Sequence, residues 1–182
     1  PTAVTGAPTP RQLAAQVRSV GGKVLSHRKI RKLETYDILR KVPEVQPYLV
    51  YTERLSMDSL THALHRYDDL YLKPDDLYRG KGVHRLVRRR TGGWVLTQRA
   101  PVGNVGRVLP DLAAVRRAVA PMLRSRSVYL IQEGLPLATF MGNRFDLRAL
   151  AQRDGTGRWA VSGLVARIAP LGSPITSPRS GG

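Results

Sequence analysis

The stretch Tyr129-Leu130-Ile131-Gln132-Glu133-Gly134-Leu135-Pro136-Leu137 decides how the chain is read. A run of β-prone apolar residues turns polar at Gln132-Glu133 and is stopped by Gly134 and Pro136. This predicts a buried strand over Val128 to Gln132 that delivers polar groups to its own end. Downstream lies Arg144-Phe145-Asp146-Leu147-Arg148-Ala149-Leu150-Ala151-Gln152, followed by Gly157-Arg158-Trp159 and Gly163-Leu164-Val165-Ala166-Arg167. Phe145 to Gln152 and Trp159 to Ile168 are expected to pair as a hairpin across Asp154-Gly155-Thr156-Gly157. On a strand, Asp146 and Arg148 share one face, and Phe145 and Leu147 point the other way, toward an expected core. A carboxylate beside a guanidinium on an otherwise apolar hairpin is either a structural ion pair or faces a polar ligand. Arg167 on the partner strand strengthens the second reading, because two arginines can converge on phosphate oxygens.

Working upstream, Leu72-Lys73-Pro74-Asp75-Asp76-Leu77-Tyr78-Arg79-Gly80-Lys81-Gly82-Val83 places a lysine at the end of a short strand, Leu70 to Lys73. A lysine there can aim its ammonium into a cleft. The Gly80-Lys81-Gly82 turn has little side-chain bulk, so backbone N–H groups can approach an anion closely, and Arg79 and Lys81 add charge. These residues suit a phosphate cradle; they equally suit a basic hairpin loop whose glycines serve turn geometry. Asp75-Asp76 reads as a turn signal after proline.

The remaining pattern is α+β. Thr9-Pro10 opens a helix with Leu13, Val17 and Val20 on one face, halted by Gly21-Gly22. Glu34 to Lys41 is a short helix with Tyr36, Ile38 and Leu39 as its apolar positions, and Leu49 to Tyr51 is β-prone. Ser56 caps a helix through Tyr67 that carries Leu60, Leu64 and Tyr67 on one face. Val83 to Val87 and Trp94 to Thr97 are strands joined at Thr91-Gly92-Gly93, and Trp94 and Trp159 read as strand-packing residues. Asp111 opens a helix with Leu112, Val115, Val119 and Leu123 inward. Neither GxGxxG nor GxxxxGK[ST] occurs, which argues against a Rossmann or P-loop nucleotide site.

The chain of 182 residues is 42% hydrophobic, enough for one domain or two small lobes with a real core. It has no cysteine, which excludes disulfides, thiolate metal sites and cysteine nucleophiles. His62 and His65 lack a third ligand nearby in sequence, so no metal site is expected there. No apolar run approaches the roughly 20 residues of a membrane span. The net charge of +17 favours anionic partners, nucleotides and nucleic acid among them.

The ordered set YLIQEGLPL, GNRFDLRALAQRD, GRWAVSGLVARIA and GSPITSPRSGG, with RKLETYDIL, YTERLS and LYLKP…GKGV upstream, resembles the YheC/YheD (endospore coat-associated) family of ATP-grasp proteins. The likeness runs over residues 25 to 182, after an N-terminal linker and helix over 1–24. It implies an ATP-grasp fold, two α+β lobes with antiparallel sheets that grip Mg-ATP, incomplete at the C-terminus. The lid-bearing lobe would cover about 69–126 and the hairpin lobe about 127–182. The resemblance puts the phosphate-binding lysines at Lys32 and Lys73, and the lid at Arg79, Gly80, Lys81 and Gly82. It puts the adenine and ribose linker at Gln132, Glu133, Gly134 and Leu135. Asp146 would lie near the phosphates, Arg148 and Arg167 would be catalytic at an acyl phosphate, and Thr176 to Gly182 would form a substrate-side loop. Leu77 and Tyr78 depart from the small Gly/Ser pair usual in the family, and Ser177-Pro178 from its Asn-apolar pair.

The implied cofactors are ATP and Mg2+, with the magnesium ligands expected beyond residue 182. The implied activity is that of a carboxylate–amine/thiol ligase acting on an unknown carboxylate, in a cytoplasmic or spore-coat-associated protein. Two alternatives stand beside it: a non-catalytic coat-associated protein on the same scaffold, and a basic nucleic-acid-binding module drawing on the net charge.

Overall fold

Alternation along Asp69-Leu70-Tyr71-Leu72-Lys73-Pro74 sets the plane of the fold. In the computed structural model this segment is strand β2 (Asp69–Pro74), with Leu70, Leu72 and Pro74 buried and Asp69, Tyr71 and Lys73 on the opposite face. The structure describes residues 10–22, 30–78, 80–99, 104–170, 173 and 176. The chain divides into two units, Pro1–Arg31 and Lys32–Gly182. In the first, helix α1 (Pro10–Ser19) ends where Gly21 takes a φ of +77° and Gly22 N–H donates to the Val17 carbonyl at 2.8 Å.

The second unit opens with α2 (Lys32–Leu39), which buries none of its residues; Ile38 is 52% exposed. Strand β1 (Thr52–Arg54) follows, then α3 (Met57–Arg66). Ser56 begins α3 with a reciprocal cap: its hydroxyl accepts from Ser59 N–H, and Ser59 Oγ accepts from Ser56 N–H. Strands β3 (His84–Arg88), β4 (Trp94–Arg99) and β5 (Asn104–Leu109) form an antiparallel meander after β2. Asp111 then caps α4 (Leu112–Leu123) by accepting from Ala114 N–H at 2.6 Å.

Strand β6 (Tyr129–Glu133) does not continue into the hairpin that follows it. It inserts between β1 and β2, so the large sheet runs β1-β6-β2-β3-β4-β5. The strand assigned from sequence to the hairpin lobe is thus hydrogen-bonded into the same sheet as the strands of the lid-bearing lobe. Burial explains the placement. Leu130 and Ile131 are 1% and 0% exposed on alternate sides, which requires a covered strand with neighbours on both edges. One face of the sheet packs Leu70, Leu72, Leu86 and Ile131 against Leu60, Ala63 and Leu64 of α3 and Val115, Val119 and Met122 of α4. In α4, Leu112 and Leu123, expected inward, are 43% and 37% exposed, and Ala114 and Met122 are buried instead.

Strands β7 (Thr139–Phe140), β8 (Asn143–Arg153) and β9 (Trp159–Ile168) make a second, smaller sheet dominated by the expected hairpin. Its register places Asp146 opposite Arg167 and Leu147 opposite Ala166, with a bulge at Leu150/Ala151. The expected core contact of Leu147 is not made: it is 64% exposed, and Trp159, expected to pack, is 68% exposed under a cation–π contact with Arg153. Beyond the short β7 pairing the hairpin has no opposing layer among the described residues, so the strands form and burial does not follow.

These differences in burial predict different costs. Leu72→Ala should lower unfolding free energy by about 2–5 kcal/mol in urea titrations, whereas Leu147→Ala should change it by about 0.5 kcal/mol or less.

Candidate functional site

The polar face of the large sheet gathers three residues singled out from sequence. Lys73 projects from β2, Gln132 from β6, and Lys32 is the first residue of α2. Lys73 Nζ donates to Gln132 Oε1 and lies 4.8 Å from the centre of the Tyr71 ring. Gln132 Nε2 in turn donates to Thr52 Oγ1 at 2.9 Å, and the Thr52 hydroxyl donates to the Val50 carbonyl at 3.2 Å. The relay fixes which end of the Gln132 amide meets the ammonium. It exists because β6 pairs Gln132 with Thr52 on one side and with Tyr71 on the other.

Lys32 has a different environment. Its Nζ donates to the carbonyls of Pro74, Asp75 and Leu77 at 2.6, 3.1 and 2.6 Å, which uses all three of its protons. Asp75, 5% exposed, answers across the same junction: its Oδ1 accepts from Leu33 N–H at 2.9 Å and so caps the start of α2. Helix and loop therefore clasp one another, each satisfying the other's orphan groups.

The electrostatics of the pair point to an anion. Burial pushes Lys73 down from 10.5 to about 8, and the nearby Lys32 charge pushes in the same direction. Burial also lowers Lys32, against partial support from Asp75 and Asp76. Among the described residues no carboxylate lies within ion-pair distance of Lys73. A partly buried cation held by an amide oxygen, with a second cation beside it, is left short of negative charge.

The loop after β2 follows from glycine geometry. Gly80 and Gly82 have φ of +73° and +67°, and a Cβ on Gly82 would lie 2.8 Å from Pro74 Cγ and 3.1 Å from the Tyr129 hydroxyl. Lys81 is exposed; its N–H and that of Val83 turn back to the carbonyls of Tyr78 and Gly80 at 3.3 and 3.4 Å. His84 holds the Gly82 carbonyl at 3.0 Å through Nδ1. The loop in this state is a closed turn with its lysine outward. Arg79 lies outside the described residues.

In the linker, Glu133 N–H donates to the Tyr51 carbonyl at 3.0 Å and Gly134 N–H to the Asp69 carbonyl at 2.7 Å. Gly134 must be glycine, since a Cβ there would stand 2.6 and 2.9 Å from the Asp69 carboxylate oxygens. That carboxylate accepts from Arg85 Nε and Nη2 at 2.8 and 2.5 Å and lies 3.9 Å from Arg144 at the start of β8, so it ties the hairpin to the sheet. Leu135 is 47% exposed.

Asp146, Arg148 and Arg167 form a separate group on the hairpin. Arg167 meets Asp146 through Nε and Nη2 at 2.7 and 2.5 Å, and Thr176 Oγ1 donates to the same carboxylate at 2.7 Å. Burial alone would raise the Asp146 pKa, but these hydrogen bonds outweigh it and hold the carboxyl below its ordinary value. Arg167 is thus engaged in an ion pair, while Arg148 is exposed on the same strand face as Asp146. Among the described residues no hydrogen bond or ion pair joins this group to Lys73.

Thr52 and the buried Asp75 cap were missed from sequence. No local signal pairs Thr52 with Gln132, and Asp75 has the composition of an ordinary turn. No group of three or more His, Asp or Glu side chains able to hold a metal occurs among the described residues.

The large sheet is antiparallel throughout and carries a strand-end lysine and a glycine–lysine loop, with a polar hairpin following; comparison with known proteins gives the class, an ATP-grasp protein. The YheC/D-like ATP-grasp model matches residues 21–182, and the chain belongs to that family. It is 26% identical over 152 residues to the endospore coat-associated protein YheD of Bacillus subtilis (strain 168). The match covers 83% of this chain and 33% of the relative, so the chain spans about a third of that protein's length. No solved structure matches the chain.

The buried cation carries a pH signature that needs no ligand. The native state holds the Lys73 proton less tightly than the unfolded chain, so stability should rise as pH climbs from about 8 toward 10.5. Lys73→Met should be more stable than the parent at neutral pH, and its stability should climb less over that window in thermal melts. Parallel pH profiles would contradict the assignment.

Proposed function

We propose that this chain binds ATP on the polar face of the large sheet, with Lys73 as the principal phosphate contact, as part of a ligase-type protein. The observation that carries the reading is the Lys73 ammonium, desolvated beside Lys32 and without a carboxylate partner among the described residues. A polyphosphate supplies the missing negative charge, and its binding raises the Lys73 pKa back toward its ordinary value.

Each neighbour has a task in this reading. Gln132, oriented by Thr52, holds the ammonium at one position over the sheet. Lys32 adds to the positive field and keeps the loop ahead of Gly80-Lys81-Gly82 in place through its three carbonyl contacts. The outward Lys81 folds over the phosphates when the turn opens. Gln132 to Leu135 edge the adenine, and Leu135 is exposed there. In ligases of this class ATP gives its terminal phosphoryl group to a carboxylate, and an amine or thiol then displaces phosphate from the acyl phosphate. Arg148, exposed beside the Asp146–Arg167 pair, suits the acyl-phosphate side, and Arg167 positions Asp146 rather than meeting phosphate directly. Among the described residues no cluster of three or more His, Asp or Glu is available to hold magnesium.

A coat-associated role for the whole protein accords with the name of its Bacillus relative, and it is compatible with nucleotide binding by this part.

Saturating Mg-ATP, at about a hundredfold above its dissociation constant, should stabilise the chain by about 2.7 kcal/mol, and Lys73→Met should abolish the shift. Affinity should fall roughly tenfold between about pH 8 and about pH 9.5 as Lys73 loses its proton, and Lys73→Arg should remove that dependence. No shift with ATP, combined with salt-sensitive binding of DNA, would replace this reading with the nucleic-acid one.

A further inference from the structure

Arg144, the second residue of β8, reaches from the hairpin onto the polar face of the large sheet, and the nucleotide reading gives it no task. Its Nη2 lies 3.9 Å from Asp69 Oδ2, beyond hydrogen-bond distance, and that carboxylate already accepts from Arg85 Nε and Nη2. Arg144 also stands at the Tyr71 side chain. Burial raises the Tyr71 pKa, and the Arg85 and Arg144 guanidinium groups pull against it, Arg144 through hydrogen bonding as well as charge. Arg144 Nη1 is enclosed and meets no acceptor among the described residues, although the side chain as a whole is 30% exposed.

Strand register fixes where this group lies. Tyr71 pairs with Gln132 and Leu70 with Glu133, and Gly134 N–H then donates to the Asp69 carbonyl. Tyr71 and Asp69 precede Lys73 on the same face of β2, roughly 7 and 13 Å back along the strand. The Lys73 ammonium lies 4.8 Å from the centre of the Tyr71 ring, and the Arg85 guanidinium 5.8 Å. Arg144, which meets both Tyr71 and Asp69, therefore stands at the linker end of β2, past Tyr71 from Lys73.

We propose that Arg144 binds the nucleoside end of the nucleotide, its Nη1–H donating to an acceptor on the base or ribose, and that it thereby distinguishes a nucleotide from a bare polyphosphate. The inference rests on the ATP reading above and adds a specificity residue to it. A nucleotide with its phosphates at Lys73 and its base along Gln132 to Leu135 passes over Tyr71 and ends at Arg144. Charge separates the two cations. Lys73 has no carboxylate within ion-pair distance among the described residues, whereas Asp69 stands 3.9 Å from Arg144 and partly neutralises it. Phosphate is therefore drawn to Lys73, and Arg144 keeps a donor to spend on a neutral acceptor. An enclosed N–H without an acceptor is unfavourable, and rotation about the last bonds of the partly exposed side chain brings Nη1 into the cleft. The planar guanidinium also stacks on an aromatic base, which an ammonium does not.

Calorimetric titration of the 182-residue chain with Mg-ATP and with magnesium tripolyphosphate separates the two ends of the ligand. The parent should bind ATP more tightly than tripolyphosphate. Arg144→Met should weaken ATP about tenfold and change tripolyphosphate about twofold or less. Lys73→Met should weaken both. Arg144→Lys keeps the charge that faces Asp69 but not the planar fork, and guards against a hairpin that fails to dock. It should show the same ATP-selective loss, with the melting temperature of the unliganded chain retained. Equal losses of ATP and tripolyphosphate in the Arg144 variants would make Arg144 a phosphate contact or a structural strut and overturn the inference. So would unchanged ATP affinity in Arg144→Met, the result expected if only water meets Nη1. Equal affinity of the parent for the two ligands would also overturn it while leaving Lys73 as a phosphate contact. Binding of neither ligand by the parent would remove the nucleotide reading and this inference with it.

Discussion

Everything at the candidate site hangs on the insertion of β6 between β1 and β2. Leu130 and Ile131 are almost wholly buried on opposite sides of this strand, and burial of both requires hydrogen-bonded neighbours on each edge. Once that pairing is made, the register leaves little choice. Gln132 falls opposite Thr52 on one side and Tyr71 on the other, and the Lys73 ammonium meets the Gln132 amide. A slip by one residue would turn Gln132 to the helical face and Ile131 to the polar one, exchanging an amide for a methyl group beside a buried cation. The hydrophobic demand of two residues thus positions the polar constellation of Lys73, Gln132 and Thr52.

The second constraint is electrostatic. Lys32 and Lys73 are both held below their ordinary proton affinity, chiefly by burial. Their solutions differ. Lys32 satisfies itself internally by spending its protons on three carbonyls, and the clasp with Asp75 gives that arrangement a structural return. Lys73 has one amide oxygen and an aromatic face, which stabilise an ammonium less than a carboxylate does. Of two lysines that look alike in the sequence, one behaves as a strut and the other as a poised charge. The same contrast recurs on the hairpin, where Arg167 is locked to Asp146 and Arg148 is exposed.

Legibility in the sequence followed the range of the interactions. Local devices could be read: the Ser56 and Asp111 caps, the alternation of β2, the hairpin across Asp154 to Gly157, and the lysine at the end of β2. Elements that depend on a distant partner could not. The strand expected at Leu49 to Tyr51 forms instead at Thr52–Arg54, three polar residues that become β because β6 pairs with them. Strand β5, Asn104–Leu109, gave no signal, since it is an edge strand with only Leu109 buried. Leu147 and Trp159 failed differently: they lie on strands of the small sheet as expected, but no second layer of the described residues packs on them. At the site, Lys73 and Gln132 were found individually. Their contact, and the supporting Thr52 and Asp75, belong to tertiary pairing that spans some eighty residues in the Gln132–Thr52 case.

The chain as a whole carries a charge problem. The chain has 30 basic residues against 13 acidic ones, and many of the acids already serve internal partners: Asp69 with Arg85, Asp68 with Arg88, Asp146 with Arg167, and Asp75 and Asp111 at helix starts. Self-repulsion from such a surplus destabilises the compact state unless anions from outside offset it. Where they settle depends on local cost. On the polar face, the desolvated Lys73 is where the proposed polyphosphate would offset that surplus. The alternating residues of β2 serve the core on one side and the charge on the other.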